Sequence, residues 1–186
     1  MRCFIGVPVP RALAARLAAQ PAPPEASPAP EANLHLTLAF LGNREADWLE
    51  ALFRTLDGAF RFCEPFSIPL ATLAAFPDAN GTVWAAHGQM NEPLRTLHRR
   101  LWSHLEAHGV APDERGFAPH VTLARGTAPL RQSPQPGPWV LPVDRVLCYE
   151  SPPGGRYRTL REWPLVARAE GSLAPAHFST ILRIRP

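Results

Sequence analysis

Apolar and polar residues alternate in two stretches of strand length, and these stretches dominate the pattern of the chain. The first, from Asn33 to Gly42, reads NLHLTLAFLG, and the second, from Pro119 to Arg125, reads PHVTLAR. Because successive side chains of a strand point to opposite faces, the aliphatic residues of each stretch share one face and its His-x-Thr pair shares the other. The pattern predicts two strands that bury their apolar face and present an imidazole and a hydroxyl on the opposite face.

The rest of the chain predicts a mixed α+β domain around these two strands. Apolar residues at helical spacing predict three amphipathic helices, over residues 11–19, 45–60 and 92–107. Short apolar runs predict further strands over residues 2–9, 66–73, 82–87, 139–149 and 157–165. Proline-rich segments at 21–30 and 129–138 are expected to be exposed, extended connectors. Periodicity alone indicates the α+β class and nothing finer.

The two alternating stretches lie about 85 residues apart, and a long predicted helix and further strands accompany each of them. An internal duplication leaves this kind of spacing. A chain of 186 residues is long enough to bury roughly 70% of the surface that it exposes when unfolded. The length suggests one domain, or two small lobes that share a site, and we assign it to residues 1–168, with residues 169–186 as a C-terminal extension of unknown role.

Composition excludes several classes of protein. The chain has a net charge of +3, and all 19 of its basic residues are arginine. Without lysine it cannot form a lysyl-adenylate or a P-loop phosphate site. Cys3, Cys63 and Cys148 are far apart and odd in number, which favours a reduced, cytoplasmic setting. No run of about 18 apolar residues predicts a membrane span.

The paired His-x-Thr strands carry the candidate chemistry. Histidine has an unperturbed pKa of about 6.5, so it can take up or give up a proton near neutrality. Two imidazoles, His35 and His120, on separate strands can therefore supply a base and an acid to one phosphate. Thr37 and Thr122 share their faces and can donate hydroxyl hydrogen bonds to the non-bridging oxygens. No metal or other cofactor is expected for such chemistry.

The strings HLTLAFLG and PHVTLAR resemble the two signature strands of the RNA 2',3'-cyclic phosphodiesterase family, once called 2'-5' RNA ligases, within the two-histidine phosphoesterase superfamily. The resemblance extends from the first strand to about Leu165. It implies two pseudo-symmetric lobes, each an antiparallel sheet backed by helices, with a shared central cleft. It also implies a monomer whose partner is an RNA or oligonucleotide with a 2',3'-cyclic phosphate end, without any membrane.

By this resemblance His35 is expected to be the proton donor to the leaving oxygen and His120 the proton acceptor, so that the product carries a 2'-phosphate. The sequence itself identifies the pair and not the role of each member. Arg125 completes H-x-T-x-x-R and matches a phosphate-binding arginine of the family. In an unbroken strand Arg125 faces away from His120, so its role requires the strand to end or to bulge at Ala124.

Aromatic faces and arginines are natural partners for the nucleoside, because stacking on a base contributes about 1 to 3 kcal/mol. The candidates are Phe4, Trp84 and Tyr157, with Arg156, Arg158 and Arg161 nearby as contacts to the RNA backbone. The sequence favours none of them individually.

Three other activities use the same residues. Reversible 2'-5' ligation of tRNA halves replaces the attacking water with a ribose hydroxyl, and the motifs do not separate it from hydrolysis. A second alternative is a phosphodiesterase for small cyclic nucleotides. A non-catalytic RNA-binding protein is the third, although a binder has no need of two titratable groups opposed across a phosphate.

Overall fold

The computed structural model describes residues 1–78, 81–112, 116–127 and 134–167. Within these ranges the helices are α1 (Arg11–Ala18), α2 (Ala46–Ala59) and α3 (Glu92–Ala107). The strands there are β1 (Arg2–Pro8), β2 (Ser27–Pro28), β3 (His35–Asn43), β4 (Phe66–Asp78), β5 (Gly81–Gly88), β6 (His120–Gly126), β7 (Gln135–Val143), β8 (Arg145–Glu150) and β9 (Arg158–Pro164). The predicted extension at 169–186 lies outside the described residues.

One antiparallel sheet contains both predicted lobes. Its order is β7-β4-β5-β6-β3-β1-β8-β9, and β2 adds to β6 beside this path. The two central strands, β3 and β6, pair only through Leu36 and Val121, so the sheet divides there into halves of four strands. The strand orders of the halves mirror each other, with β6 matching β3 and β5 matching β1. The predicted α+β class with two antiparallel halves is confirmed.

The prediction of one continuous strand over residues 139–149 is wrong, because the chain crosses there from one half of the sheet to the other. It breaks at Asp144 into β7, which pairs with β4, and β8, which pairs with β1. β7 also begins at Gln135, inside the segment predicted as a connector. Since one residue separates the strands, their facing ends lie within about 7 Å of each other. The sheet must therefore curl until its two halves meet at that end.

The helices cover the face of the sheet opposite the two histidines. α2 buries Leu49, Leu52, Phe53 and Leu56, and α3 buries Leu94, Leu97, Leu101 and Leu105. These residues share one core cluster with the aliphatic residues of β3 and β6. α3 begins at an Asn91 cap, whose side chain accepts a hydrogen bond from the Leu94 amide at 3.0 Å. No helix within the described ranges is long and apolar enough to cross a bilayer.

Gly6 lets β1 approach the first histidine strand closely. A Cβ atom at Gly6 would lie 2.7 Å from the Leu36 carbonyl oxygen and 3.5 Å from Cδ2 of His35. Gly6→Ala is expected to force the strands apart and to destabilise the protein by about 1 to 3 kcal/mol, measured by urea unfolding. Gly58→Ala is the matched control, because nothing lies within 4 Å of a Cβ there and Gly58 is in helix α2.

The control is expected to stabilise the protein by about 0.5 to 1 kcal/mol, since alanine loses less conformational freedom than glycine in a helix. Equal urea midpoints for Gly6→Ala and the wild type would show that β1 does not depend on this close approach.

Candidate active site

The two His-x-Thr pairs lie on adjacent strands and on one face of the sheet, which we call the cleft face. Leu36 of β3 pairs with Val121 of β6, and both side chains are fully buried. In an antiparallel pair the neighbouring residues on either side are then also opposite each other. His35 thus lies across from Thr122, and Thr37 across from His120. The single bridged pair therefore places the four side chains side by side on the cleft face.

Each histidine is oriented by a carbonyl of its own chain. His35 Nδ1 lies 2.7 Å from the Asn33 carbonyl oxygen, and His120 Nδ1 lies 2.9 Å from that of Ala118. A carbonyl oxygen can only accept a hydrogen bond, so Nδ1 carries the hydrogen in both rings. In the neutral rings Nε2 is therefore the free base. Nε2 of His35 lies 3.0 Å from Thr37 Oγ1 and accepts the hydroxyl hydrogen.

Burial lowers the pKa of both imidazoles. The pKa of His35 falls to about 4, chiefly by desolvation, and the positive charges of His120 and Arg125 lower it further. The pKa of His120 is also lowered, first by desolvation and then by the charges of His87 and Arg125. Carbonyl acceptors oppose both shifts. The charge of His120 acts on His35 and that of Arg125 acts on both rings, so the two imidazoles and the guanidinium lie within electrostatic reach of one another. The lowered pKa values favour the neutral form of both rings.

A bulge in β6 brings Arg125 to the cleft face. The paired positions of β5 and β6 are Val83 with Arg125, Ala85 with Thr122, and His87 with His120. The β5 partners alternate along that strand, so they share one face and so do the β6 residues opposite them. The extra residue in β6 is Leu123, and both it and Ala124 are buried. The prediction that Arg125 faces the same side as His120 required a bulge near Ala124, and this bulge is present.

The same bulge occurs in β3 and places an aromatic residue where β6 has the arginine. The β1–β3 pairing shifts between Ile5 and Gly6, which leaves Leu38 as the extra residue. Phe40 follows at the position equivalent to Arg125, opposite Phe4. Its side chain is 63% exposed, whereas the other aromatic rings of this half are largely covered. Superposing HLTLAF on HVTLAR predicts this equivalence, and the sequence reasoning did not use it.

Both bulges have contacts from outside the paired strands. The Leu123 carbonyl accepts a hydrogen bond from the Ala29 amide at 2.8 Å, next to β2. The segment at 21–30 is mostly exposed as predicted, but it contains a turn at Pro24 and Glu25, Pro23 is buried, and the segment is tied to the sheet here. At the other bulge the backbone of Leu38 lies close enough to the His98 ring to raise the pKa of that imidazole, although burial lowers it more. A bulge leaves one residue outside the regular ladder, so the Ala29 amide supplies a partner that the ladder lacks at Leu123.

Aromatic rings contact both histidines, three of them at His35 and one at His120. His35 contacts Phe4, with ring centroids 4.5 Å apart, and Tyr157, at 5.3 Å. His120 contacts Phe76 at 4.9 Å in an edge-on arrangement. Asn33 connects the aromatic rings around His35, which we call the aromatic cage, to the turn between β8 and β9. Its Oδ1 accepts a hydrogen bond from the Tyr157 amide at 3.2 Å. The rings explain the desolvation of the imidazoles.

Sequence reasoning named some nucleoside contacts that the structure places elsewhere. Trp84 is fully buried in the core and cannot meet a ligand. Arg158 is paired with Glu150 and Arg161 with Asp57, so neither guanidinium points freely into the cleft. The cleft residues that were missed are Phe40, Phe76, Asp78, His87 and Tyr149. All but Phe40 are on strands β4, β5 and β8, and no local pattern in the sequence reveals where these strands lie in the sheet.

A bilobal antiparallel sheet with paired His-x-Thr strands defines the class of this protein. The family model of the 2'-5' RNA ligase superfamily matches residues 8–141, and the chain belongs to that superfamily. It is 34% identical over 149 residues to the RNA 2',3'-cyclic phosphodiesterase of Escherichia coli (strain K12), covering 77% of this chain and 82% of that protein.

Other relatives agree with this assignment. The chain is 30% identical over 154 residues to the RNA 2',3'-cyclic phosphodiesterase of Geobacillus stearothermophilus, where it covers 76% of its own length and about half of the relative, 48%. Crystal structures of TT0787 of Thermus thermophilus and of E. coli LigT complexed with 3'-AMP match with TM-scores of 0.74 and 0.73. Each is 29% identical and covers 89% of this chain and 98% of the matched chain.

Proposed function

We propose that this protein hydrolyses RNA ends bearing a 2',3'-cyclic phosphate to 2'-phosphate ends, with His35 and His120 as an acid and base pair. The observation that carries the proposal is that β3 and β6 are neighbours and place both His-x-Thr pairs on one face, with each imidazole held through Nδ1 by a backbone carbonyl. The name shared by the relatives, RNA 2',3'-cyclic phosphodiesterase, supports the same activity.

Hydrolysis at this site is a displacement at phosphorus. A water molecule attacks the phosphorus of the cyclic ester and loses a proton to His120, while the bond from phosphorus to O3' breaks. His35 gives its proton to O3', so the products are a 2'-phosphate and a 3'-hydroxyl. Opposed imidazoles are suited to this exchange because each presents Nε2 away from its anchoring carbonyl. The histidines manage both protons without a metal ion.

The role of His35 as the acid depends on the substrate. Its pKa of about 4 in the free protein means that it enters the reaction largely unprotonated. A phosphate anion beside the ring favours the imidazolium and raises that pKa, so binding and proton uptake are coupled. The two histidines therefore titrate as a pair in the complex.

Thr37, Thr122 and Arg125 are proposed to hold the phosphate. The hydroxyls lie across the strands from the opposite histidine and can donate to the non-bridging oxygens as negative charge grows on them. The Arg125 guanidinium adds a fixed positive charge from the β6 side. Phe40, at the equivalent position on β3, offers an exposed ring to a base, which fixes the polarity of the RNA across the cleft.

The setting of this reaction is proposed from the same residues. Cys3, Cys63 and Cys148 are free thiols and all are buried, which agrees with a cytoplasmic protein. We propose that the protein acts as a monomer, since both His-x-Thr strands belong to one chain and are neighbours in its sheet.

The proposal is tested with a dinucleotide ending in a 2',3'-cyclic phosphate. The expected product is the 2'-phosphate alone, formed at an unchanged rate in EDTA, and identified by its resistance to a 3'-specific phosphatase. A parallel reaction adds an RNA with a 5'-hydroxyl end. A joined product there would assign reversible 2'-5' ligation, while RNA binding without turnover at any pH would leave only a binding role.

A further inference from the structure

Asp78 places a carboxylate in the proposed phosphate site. It is the last residue of β4 and pairs with Gly81 of β5. Its Oδ2 lies 2.7 Å from Arg125 Nη1, and its side chain is the more covered of the two, at 24% exposure against 57%. Phe76, two residues earlier on the same strand face, contacts the His120 ring. Asp78 thus belongs to the cleft face beside Arg125 and His120.

The charge of Asp78 reaches the proposed base. The carboxylate raises the pKa of His120, whereas the positive charges of His87 on β5 and Arg125 on β6 lower it. His35 on β3 is the other titratable group facing His120. A carboxylate at this position repels any bound anion and partly neutralises the arginine that would hold it. In a site whose only role is to bind phosphate tightly, the Asp78 carboxylate would weaken binding.

The substrate and the product differ in negative charge, so the Asp78 carboxylate repels them to different extents. A cyclic phosphodiester carries one negative charge, whereas a phosphomonoester carries about 1.5 to 2 negative charges at pH 7. Repulsion by Asp78 therefore acts more strongly on the product than on the substrate. We propose that Asp78 sets the charge selectivity of the cleft, so that the cleft retains the singly charged cyclic ester and releases the phosphomonoester. This proposal rests on the proposed hydrolysis.

The test compares product inhibition with substrate affinity in Asp78→Asn. Asparagine keeps an oxygen that can accept from Arg125 but removes the charge. The inhibition constant of the 2'-phosphate dinucleotide is expected to fall by about fivefold or more relative to the KM of the cyclic substrate, as one nearby unit charge predicts. Glu92→Gln removes the same charge on α3, where Glu92 pairs with Arg95, and is expected to leave the ratio unchanged.

A purely structural role for Asp78 predicts a different result. If the carboxylate only holds Arg125 in place, the inhibition constant and KM change together and their ratio stays constant, which would overturn the proposal. The charge role also predicts that the acid limb of kcat/KM moves to lower pH in Asp78→Asn, because His120 loses the group that raises its pKa. An unshifted limb would contradict it. Asp78→Glu keeps the charge and is expected to keep the wild-type ratio.

The wild-type protein provides a test that needs no variant. Calorimetry with adenosine 2'-phosphate and with its singly charged methyl ester is expected to show that the ester binds at least as tightly. Tighter binding of the doubly charged ligand would overturn the role of Asp78 even if the protein turns over cyclic phosphate. Failure of the wild type to hydrolyse any cyclic phosphate would instead remove the proposed function itself.

Discussion

His35→Ala and His120→Ala are each expected to lower kcat/KM for a cyclic-phosphate dinucleotide by about 10² to 10⁴-fold, because each removes one proton-transfer group from the transition state. The double variant is expected to be little worse than either single one, since an acid and a base that act in one step lose most of their effect together. Steady-state kinetics at pH 7 measures both. His104→Ala, on helix α3, is the control and is expected to retain wild-type rates.

A sulfur-bridged substrate separates the acid from the base. If sulfur replaces O3', the leaving thiolate needs no proton, so the variant that lacks the acid recovers while the variant that lacks the base does not. With the proposed roles, His35→Ala is expected to be rescued and His120→Ala is not. Rescue of His120→Ala alone would exchange the two roles, and wild-type activity of either variant on the ordinary substrate would remove the pair from the mechanism.

The two histidine strands were predictable because their information is local. Apolar and polar residues alternate around each histidine, and each hydroxyl follows its histidine by two residues. Helix α3 was equally predictable, since apolar residues recur at helical spacing between residues 92 and 107. Gly109, whose backbone is in the left-handed region, lies just beyond the end of the helix. In these elements one periodicity decides the structure.

The departures from prediction all involve pairing between distant segments. The apolar alternation continues through Asp144, so no local signal showed that β7 and β8 belong to opposite halves of the sheet. The break is defined by the pairing of β7 with β4 and of β8 with β1. The bulge at Leu123 is similar, because it is defined by the register against β5. From the sequence, Arg125 could face the cleft only if the strand ended or bulged near Ala124, and the pairing with β5 shows such a bulge.

The cleft residues outside the motifs have the same origin. Phe76 and Asp78 are on β4, and they reach His120 across β5 because the hairpin positions them there. Tyr157 reaches His35 through the turn that Asn33 holds. No spacing along the chain relates these residues to the histidines. The proposed charge selectivity therefore depends on tertiary structure, whereas the proposed acid and base follow from two local patterns.

The free energy of unfolding is expected to fall by up to about 3 kcal/mol between pH 7 and pH 4 because of His35 alone. The pKa of this imidazole is about 4 in the folded protein against an ordinary value of 6.5, and one pH unit of difference is worth about 1.4 kcal/mol. Since the folded pKa is the lower one, the unfolded chain binds more protons in this window. The contribution is complete above pH 6.5 and is lost as the pH falls to 4.

Chemical unfolding at several pH values, with His35→Gln as the comparison, measures this contribution. The variant is expected to have a shallower pH dependence. His98 and His120, whose pKa values burial also lowers, contribute to the slope that remains. Equal slopes for the two proteins would contradict the desolvation of His35. Inorganic phosphate at pH 5 is expected to raise the melting temperature of the wild type more than that of the variant, because the anion stabilises the imidazolium. The aromatic cage that destabilises the protein in acid is then the same feature that couples phosphate binding to protonation of His35.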